Sequence, residues 1–477
     1  MRICLITPEK FAFGVPLNLA YIAAYLKKYD EEKHDIKIID EFTGGNAEED
    51  LEKFKPDVVG ISATTPQIPR AAEIKNFVKE KYPKVPVIIG GVHTTVIPER
   101  TLREGKFDVG VIGEGEVTFF ELIQNFKNNG LDQEDLKKIK GICYMKGKDV
   151  IFTEPRPLIE NLDSMPHPAR ELLNMDAYLK PHDFIRGIIK RSTFAMFSRG
   201  CPYKCVYCSS FAVHKQRFRM NSPEYIIEEI EELINKYGVE AVFFLDDVFI
   251  VNKERVRKIC ELMIDRGYNE KIIWDIQMRA NLVSPKDLEL FKLLKKAGCI
   301  QAEFGFESGS PRMLQTLKKN TVTVEQNHQA IKLCKKAGLR VFGNFMIGSP
   351  GETVEDIQMT KKFILEHIND MDEIVINMTI PYPGTEVWDI LEKKGLLENL
   401  KWNELKWDYQ YFFKSPRCFS DTISKEELLN FHRELIALGI KKFSLKVKIK
   451  KLLSHPKTVI PLIVPYLYYR LKSTVNK

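Results

Sequence analysis

Short β-branched apolar runs alternate with amphipathic stretches twice along this 477-residue chain, and no other feature narrows the fold as much. Parallel strands need a crossover of a dozen or more residues, usually a helix, so such alternation specifies βαβ units. In the first 130 residues the strand-like runs are Arg2 to Ile6, Ile36 to Ile39, Val58 to Ser62, Val85 to Ile89 and Val109 to Ile112. Helical periodicity falls between them, near 17–29, 47–54, 67–82, 95–104 and 116–127. The nearly unbroken apolar character of the runs suits strands covered on both faces and predicts a doubly wound parallel sheet. The second alternation places strands at Thr193 to Ser198, Ala241 to Leu245, Ile272 to Met278, Ile300 to Phe306, Arg340 to Met346 and Glu373 to Thr379. Six βα units predict a partial (β/α)6 barrel, with its chemistry on the loops at the carboxyl ends of the strands. Residues 131–192 are weakly periodic, contain Pro155, Pro157, Pro166, Pro168 and Pro181, and read as a linker. The expected domains are therefore 1–130, the linker 131–192, the barrel 193–390, and a mainly helical C-terminal region 391–477 with a basic amphipathic tail.

Charge must be located before it is interpreted. The net +7 comes from residues 435–477, which hold ten Lys and Arg and no acidic residue, so the rest of the chain carries 62 basic against 65 acidic groups. A body with that balance does not suggest nucleic-acid binding. The N-terminus MRICLITPEKF enters a strand without the charged and cleavable segments of a signal peptide, which predicts a cytoplasmic protein. Of nine cysteines, six are scattered in mostly apolar surroundings and suit reduced core thiols.

The remaining three form Ser198-Arg-Gly-Cys201-Pro-Tyr-Lys-Cys205-Val-Tyr-Cys208, just after the first barrel strand. A short loop with this C-x3-C-x2-C spacing can turn three thiolates onto one soft metal centre, and Gly200 permits the tight entry. Three unrelated thiols and a structural zinc are the competing readings. Zinc asks for four ligands, and no further Cys or His lies at finger or ribbon spacing, so a 4Fe-4S cluster with one open iron fits better.

On these residues the chain resembles the radical S-adenosylmethionine (radical SAM) superfamily. The resemblance implies that the open iron binds S-adenosylmethionine and that the reduced cluster cleaves it to a 5′-deoxyadenosyl radical. It also implies S-adenosylmethionine contacts from Tyr207, from Asp246 and Asp247 after the second strand, and from Glu307 and Ser308 at the fourth. Gly348 in the fifth-strand glycine motif and Asn377 on the sixth strand complete that set. The Asp pair also reads as a region ahead of a helix cap at Asn252. Arg279, closing the third strand, reads equally as a barrel-mouth group and as a surface arginine.

Five βα units ahead of such a barrel resemble the cobalamin-binding domain of one branch of that superfamily. The resemblance implies cobalamin contacts from Asp40 and Gly45 after the second strand, Ser62 and Thr64 after the third, Gly90 and Gly91 after the fourth, and Gly113 and Glu114 after the fifth. Phe42 stands where methionine-synthase-like domains place a cobalt-ligating His, so the expected cobalamin has no imidazole below it. His93 is expected at a helix start or a nucleotide tail.

Cysteine arithmetic argues against two relatives. Methylthiotransferases need a second cysteine trio near the N-terminus, where only Cys4 lies, and enzymes with auxiliary clusters need a cysteine-rich C-terminus, where only Cys418 lies. The resemblance therefore implies a one-cluster, cobalamin-dependent enzyme that methylates an unactivated carbon of an apolar substrate, such as a lipid, isoprenoid or tetrapyrrole. A ring-forming cyclase or oxidoreductase is the alternative, and a non-catalytic cobalamin and iron–sulfur sensor is the alternative from another class. An electron donor such as ferredoxin or flavodoxin is implied. Residues 435–477 interleave apolar side chains with lysines, which suits the inner face of a membrane as well as a helix packed on the barrel.

Overall fold

A computed structural model of the chain describes residues 1–8, 14–180, 188, 190–406 and 417–442. Seven strands form the first sheet: β1 (Arg2–Thr7), β2 (Asp35–Asp40), β3 (Val58–Ser62), β4 (Val87–Gly90), β5 (Val109–Val111), β6 (Ile142–Lys146) and β7 (Asp149–Phe152). Their order is β2-β1-β3-β4-β5-β6-β7. The first five run parallel, and β6 and β7 join antiparallel at the β5 edge. Because successive side chains point to opposite faces, β1 sends Ile3 and Leu5 under the helices Leu17–Tyr29 and Gly115–Asn129, and Cys4 and Ile6 under Ala47–Phe54 and Ile68–Lys81. All four strand residues are buried.

The β6–β7 hairpin corrects the reading of 131–192 as a plain linker. Lys146 pairs with Asp149 across a two-residue turn in which Gly147 has φ +62°, the left-handed start that hairpin turns favour.

The second body begins with β8 (Ser192–Ala195), breaks, and pairs β9 (Ser198–Arg199) antiparallel with β10 (Arg219–Met220), so the cysteine loop is tied at both ends. The remaining strands are β11 (Ala241–Phe244), β12 (Ile273–Met278), β13 (Cys299–Glu307), β14 (Arg340–Ile347) and β15 (Glu373–Met378). The sheet β8-β11-β12-β13-β14-β15 is parallel throughout and carries its helices outside, the partial barrel that the alternation predicts. Many of these helices start on a capping side chain. Ser222, Asn252, Thr323, Thr353 and Thr385 each accept the backbone N–H three residues on, worth about 1 kcal/mol apiece.

The helix Lys425–Lys442 covers the barrel's β15 edge. Leu428 and Leu435 are buried, the His432 ring lies 3.0 Å from the Ile376 carbonyl, and Gly439 packs on Ile374. The head of the basic tail is therefore core: Leu435, Ile436 and Leu438 pack on the barrel. Residues 443–477 lie outside the described residues. Among the described residues no helix is long and apolar enough to cross a membrane.

Candidate functional site

The cysteine loop closes on Gly200, whose φ is +86°; a Cβ there would lie 2.1 Å from the Arg217 carbonyl oxygen, so only glycine fits. Cys201 and Cys205 are buried and Cys208 half-buried. Burial pushes the Cys201 thiol up to about 11 and that of Cys208 to about 12, and the neighbouring thiolates and Asp247 add to both. Three thiolates so placed need a cation. One is present beside them: Arg279, only 4% exposed, donates to the Cys205 sulfur at 2.8 Å. Its guanidinium lies over the Tyr203 ring, 3.9 Å from the centroid, and also donates to Asn281 (2.9 Å) and Thr321.

The donor set bears on which metal centre fits. One tetrahedral zinc would gather its sulfurs to about 3.8 Å from each other. Among the described residues the three sulfurs do not all lie within 4.8 Å of one another. A donor set of three soft sulfurs, more widely spaced and with a guanidinium on one of them, fits a cluster rather than an ion.

Beside the loop, Tyr207 Oη donates to Glu307 at 2.8 Å and Lys318 Nζ lies 2.9 Å from the same carboxylate oxygen. Glu307 ends β13 in the left-handed region, φ +62°, at a register shift against β14. Such an outlier persists only where its surroundings hold it. Asp247 is exposed, accepts from Ser210 and acts electrostatically on Cys201 and Cys208. Inside the barrel Gln277 and Asn344 both donate to Glu303, at 2.6 and 3.0 Å, and leave a polar row across β12, β13 and β14. Asn377 is half-buried on β15.

Other residues expected at this site serve the scaffold. Asp246 is fully buried, accepts from the Phe197 amide (3.2 Å) and Ser198, and is raised to about 6 by burial. Ser308 is fully buried, 3.1 Å from the Thr360 hydroxyl, and accepts the Ser310 amide, so it binds the outer helix instead of facing the barrel mouth. The Gly348 amide donates to Glu352, which closes that loop from within.

Between the two bodies lies a cavity of about 760 Å³. Ser62, Thr64, Gly90, Gly91, Gly113 and Glu114 line it from the sheet side, and Arg199, Ser209, His214 and Tyr382 from the barrel side. Asp40 and Gly45 do not line it. Asp40 is buried, raised to about 6 by burial, and accepts from the Phe42 amide (3.0 Å) and from Tyr178 Oη. Gly45 folds back on the Asp40 carbonyl (3.2 Å), and Phe42 stacks on Tyr178.

The reason for this placement is strand order. In a 2-1-3-4-5 sheet the crevice opens where the order reverses, between β1 and β3, and β2 is the edge. The described residues Gly14, Val15 and Pro16 of the loop after β1 line the cavity instead. His93 is also outside: fully buried, it lies 3.1 Å from the Thr65 hydroxyl and edge-on to Trp402, with burial lowering it to about 4.

Glu114 lines the cavity but is spoken for. Arg199 binds it at 2.9 Å and Glu116 at 2.6 Å, and Arg219 binds Glu114 through both carboxylate oxygens, at 2.9 and 2.8 Å. Burial alone would raise Glu114; the two guanidiniums outweigh it and hold the carboxyl below its ordinary value. Arg199, Lys318 and His214 are functional candidates that the motifs do not announce. Their one sequence signal is proximity: Arg199 lies two residues before Cys201, and Lys318 one helix beyond Glu307.

A radical SAM superfamily model matches residues 196–364, and a B12 binding domain model matches residues 11–123. The chain is 38% identical over 396 residues to an uncharacterized methyltransferase of Pyrococcus horikoshii, covering 82% of this chain and 81% of that protein. It is 28% identical over 441 residues to an anaerobic magnesium-protoporphyrin IX monomethyl ester cyclase of Cereibacter sphaeroides, covering 90% and 69%. Its fold is like that of a radical S-adenosylmethionine methyltransferase from Kitasatospora setae solved with cobalamin and a [4Fe-4S] cluster. The TM-score is 0.67 at 17% identity, with 84% of this chain and 79% of that one covered.

Proposed function

The chain belongs to the radical SAM superfamily and carries a B12 binding domain ahead of its barrel, and from that premise we propose that it is an enzyme that transfers a methyl group to an unactivated carbon. The observation that carries this reading is the cavity walled on one side by the sheet's glycine and hydroxyl loops and on the other by the segment that leads into the three cysteines. The chemistry is supplied by a 4Fe-4S cluster that reductively cleaves S-adenosylmethionine and by cobalamin that carries the methyl group.

The chain's own residues do the positioning. Cys201, Cys205 and Cys208 would hold the cluster. Tyr207, Asp247, Glu307, Lys318 and Asn377 would contact S-adenosylmethionine beside it. Ser62, Thr64, Gly90, Gly91 and Gly113 let a flat ring and its tail approach the backbone. A small electron-transfer protein of the ferredoxin or flavodoxin class supplies the reducing electrons. The substrate is an apolar lipid, isoprenoid or tetrapyrrole. Similarity to a tetrapyrrole cyclase favours, as a second reading, ring closure on the same scaffold.

Anaerobic reconstitution should give about four irons and four sulfides per chain, none in the triple Cys→Ala variant, and S-adenosylmethionine cleavage on reduction. The metabolite that accumulates in a deletion strain, returned to the reduced enzyme, should gain one methylene mass. Iron retained by the triple variant sinks the cluster assignment. A product of altered oxidation state with no added carbon replaces methylation with the cyclase reading.

A further inference from the structure

On the barrel's outer layer, far along the chain from the cysteine loop, two histidines and two carboxylates meet between neighbouring helices. His328 stands on the helix Val324–Ala337, and Glu366 and His367 lie at the end of the helix Val354–Glu366. Nδ1 of His328 is 2.5 Å from Nε2 of His367, and with a Glu366 oxygen all three atoms lie within 4.8 Å of one another. His367 is 4% exposed; His328 is half-buried and Glu366 open to water.

We propose that His328, Glu366 and His367 form a zinc site that clips these two helices together, with water completing the coordination.

Three features of the cluster favour zinc over a plain imidazole pair. First, the far nitrogen of His367, Nδ1, is buried without a hydrogen-bond partner, and the Asp370 carboxylate stands 3.6 Å behind it. A metal-binding histidine characteristically turns its other N–H to a carboxylate, which orients the ring and makes it a better donor. Second, the two imidazole nitrogens already face each other across the helix pair, with a Glu366 oxygen within 4.8 Å of both. Third, the scaffold is stiff. Capping boxes at Thr323 and Thr353 start both helices, and Phe363 packs against both imidazole rings at 4.9 and 5.0 Å.

A two-imidazole, one-carboxylate set matches a borderline divalent ion. Zinc at about 2.05 Å from each nitrogen needs them about 3.3 Å apart. A rotation of the half-buried His328 side chain would open the pair that far, and the exposed Glu366 would swing in to meet the ion.

The test is zinc uptake by full-length protein loaded with its cofactors, dialysed against buffered micromolar zinc, with zinc, iron and cobalt counted together. One zinc per chain beyond the iron and cobalt is expected. His328→Gln and His367→Gln should weaken uptake at least tenfold. Glu366→Gln, at a site too exposed to disturb folding, should weaken it several-fold. Zinc should also raise the melting temperature of the parent and not of His328→Gln. No zinc uptake by the parent, or equal uptake by the His328→Gln and Glu366→Gln variants, overturns the site and leaves a hydrogen-bonded histidine pair.

Discussion

Arg279 puts a fixed positive charge and an N–H on one cysteine sulfur, and both act on the same property of a bound cluster. Reduction adds an electron, so a neighbouring cation and a hydrogen bond to sulfur stabilise the reduced form more than the oxidised one. Arg279→Gln removes the charge and should lower the midpoint potential, while Arg279→Lys keeps the charge, loses the planar fork and should fall between. Potentiometric titration followed by spin resonance, on samples of equal iron content, reads this directly. An unchanged potential in Arg279→Gln shows that the contact is only structural. At this scale the sequence was uneven in what it told. The cysteine spacing is local and could be read from it, whereas Arg279 reaches Cys205 across 74 positions and only the closure of the sheet brings them together.

Among the elements, the loop from β9 to β10 is the most exacting. Its two ends are hydrogen-bonded to each other and its entry is a glycine against a carbonyl, so it has one closed conformation. Gly200→Ala should therefore cut reconstituted iron severalfold while leaving the helical circular dichroism of the barrel in place. Full iron loading of that variant contradicts the geometry. Strand positions were legible because apolar runs and their periodicity are local properties. Strand order was not, and the Asp40 to Gly45 segment shows the consequence. Nothing in its composition says that β2 is an edge, and the loop after β1 takes its place at the crevice. The β6–β7 hairpin escaped because two short strands around Gly147 carry too little periodicity to stand out among prolines.

At the scale of the whole molecule, the cavity exists only where both bodies contribute walls. The sheet side offers no histidine among its described lining residues, and residues 9–13, outside the described residues, read Glu-Lys-Phe-Ala-Phe. Cobalamin bound there should show, in the Co(II) state, no superhyperfine splitting from an imidazole of the sheet domain. A nitrogen-split signal that survives His214→Ala and changes from three lines to two when the protein's histidines carry 15N contradicts this. The joint carries a buried ion network beside its shared apolar core. Glu114→Gln leaves Arg199 and Arg219 buried with their shared partner gone, and should cost about 3 kcal/mol, measured by urea unfolding at pH 7. Because the folded carboxyl of Glu114 sits below its ordinary value, its contribution is present above about pH 4.5 and is lost as the pH falls through the folded pKa. The gap between variant and parent should therefore narrow on acidification below that point. The same ion network bears on how such a chain can be inherited. Sheet and barrel have the outline of exchangeable modules, but a barrel that acquired a foreign sheet without a carboxylate at this place would strand two guanidiniums in the joint, so recombination must carry the matched halves together or break both.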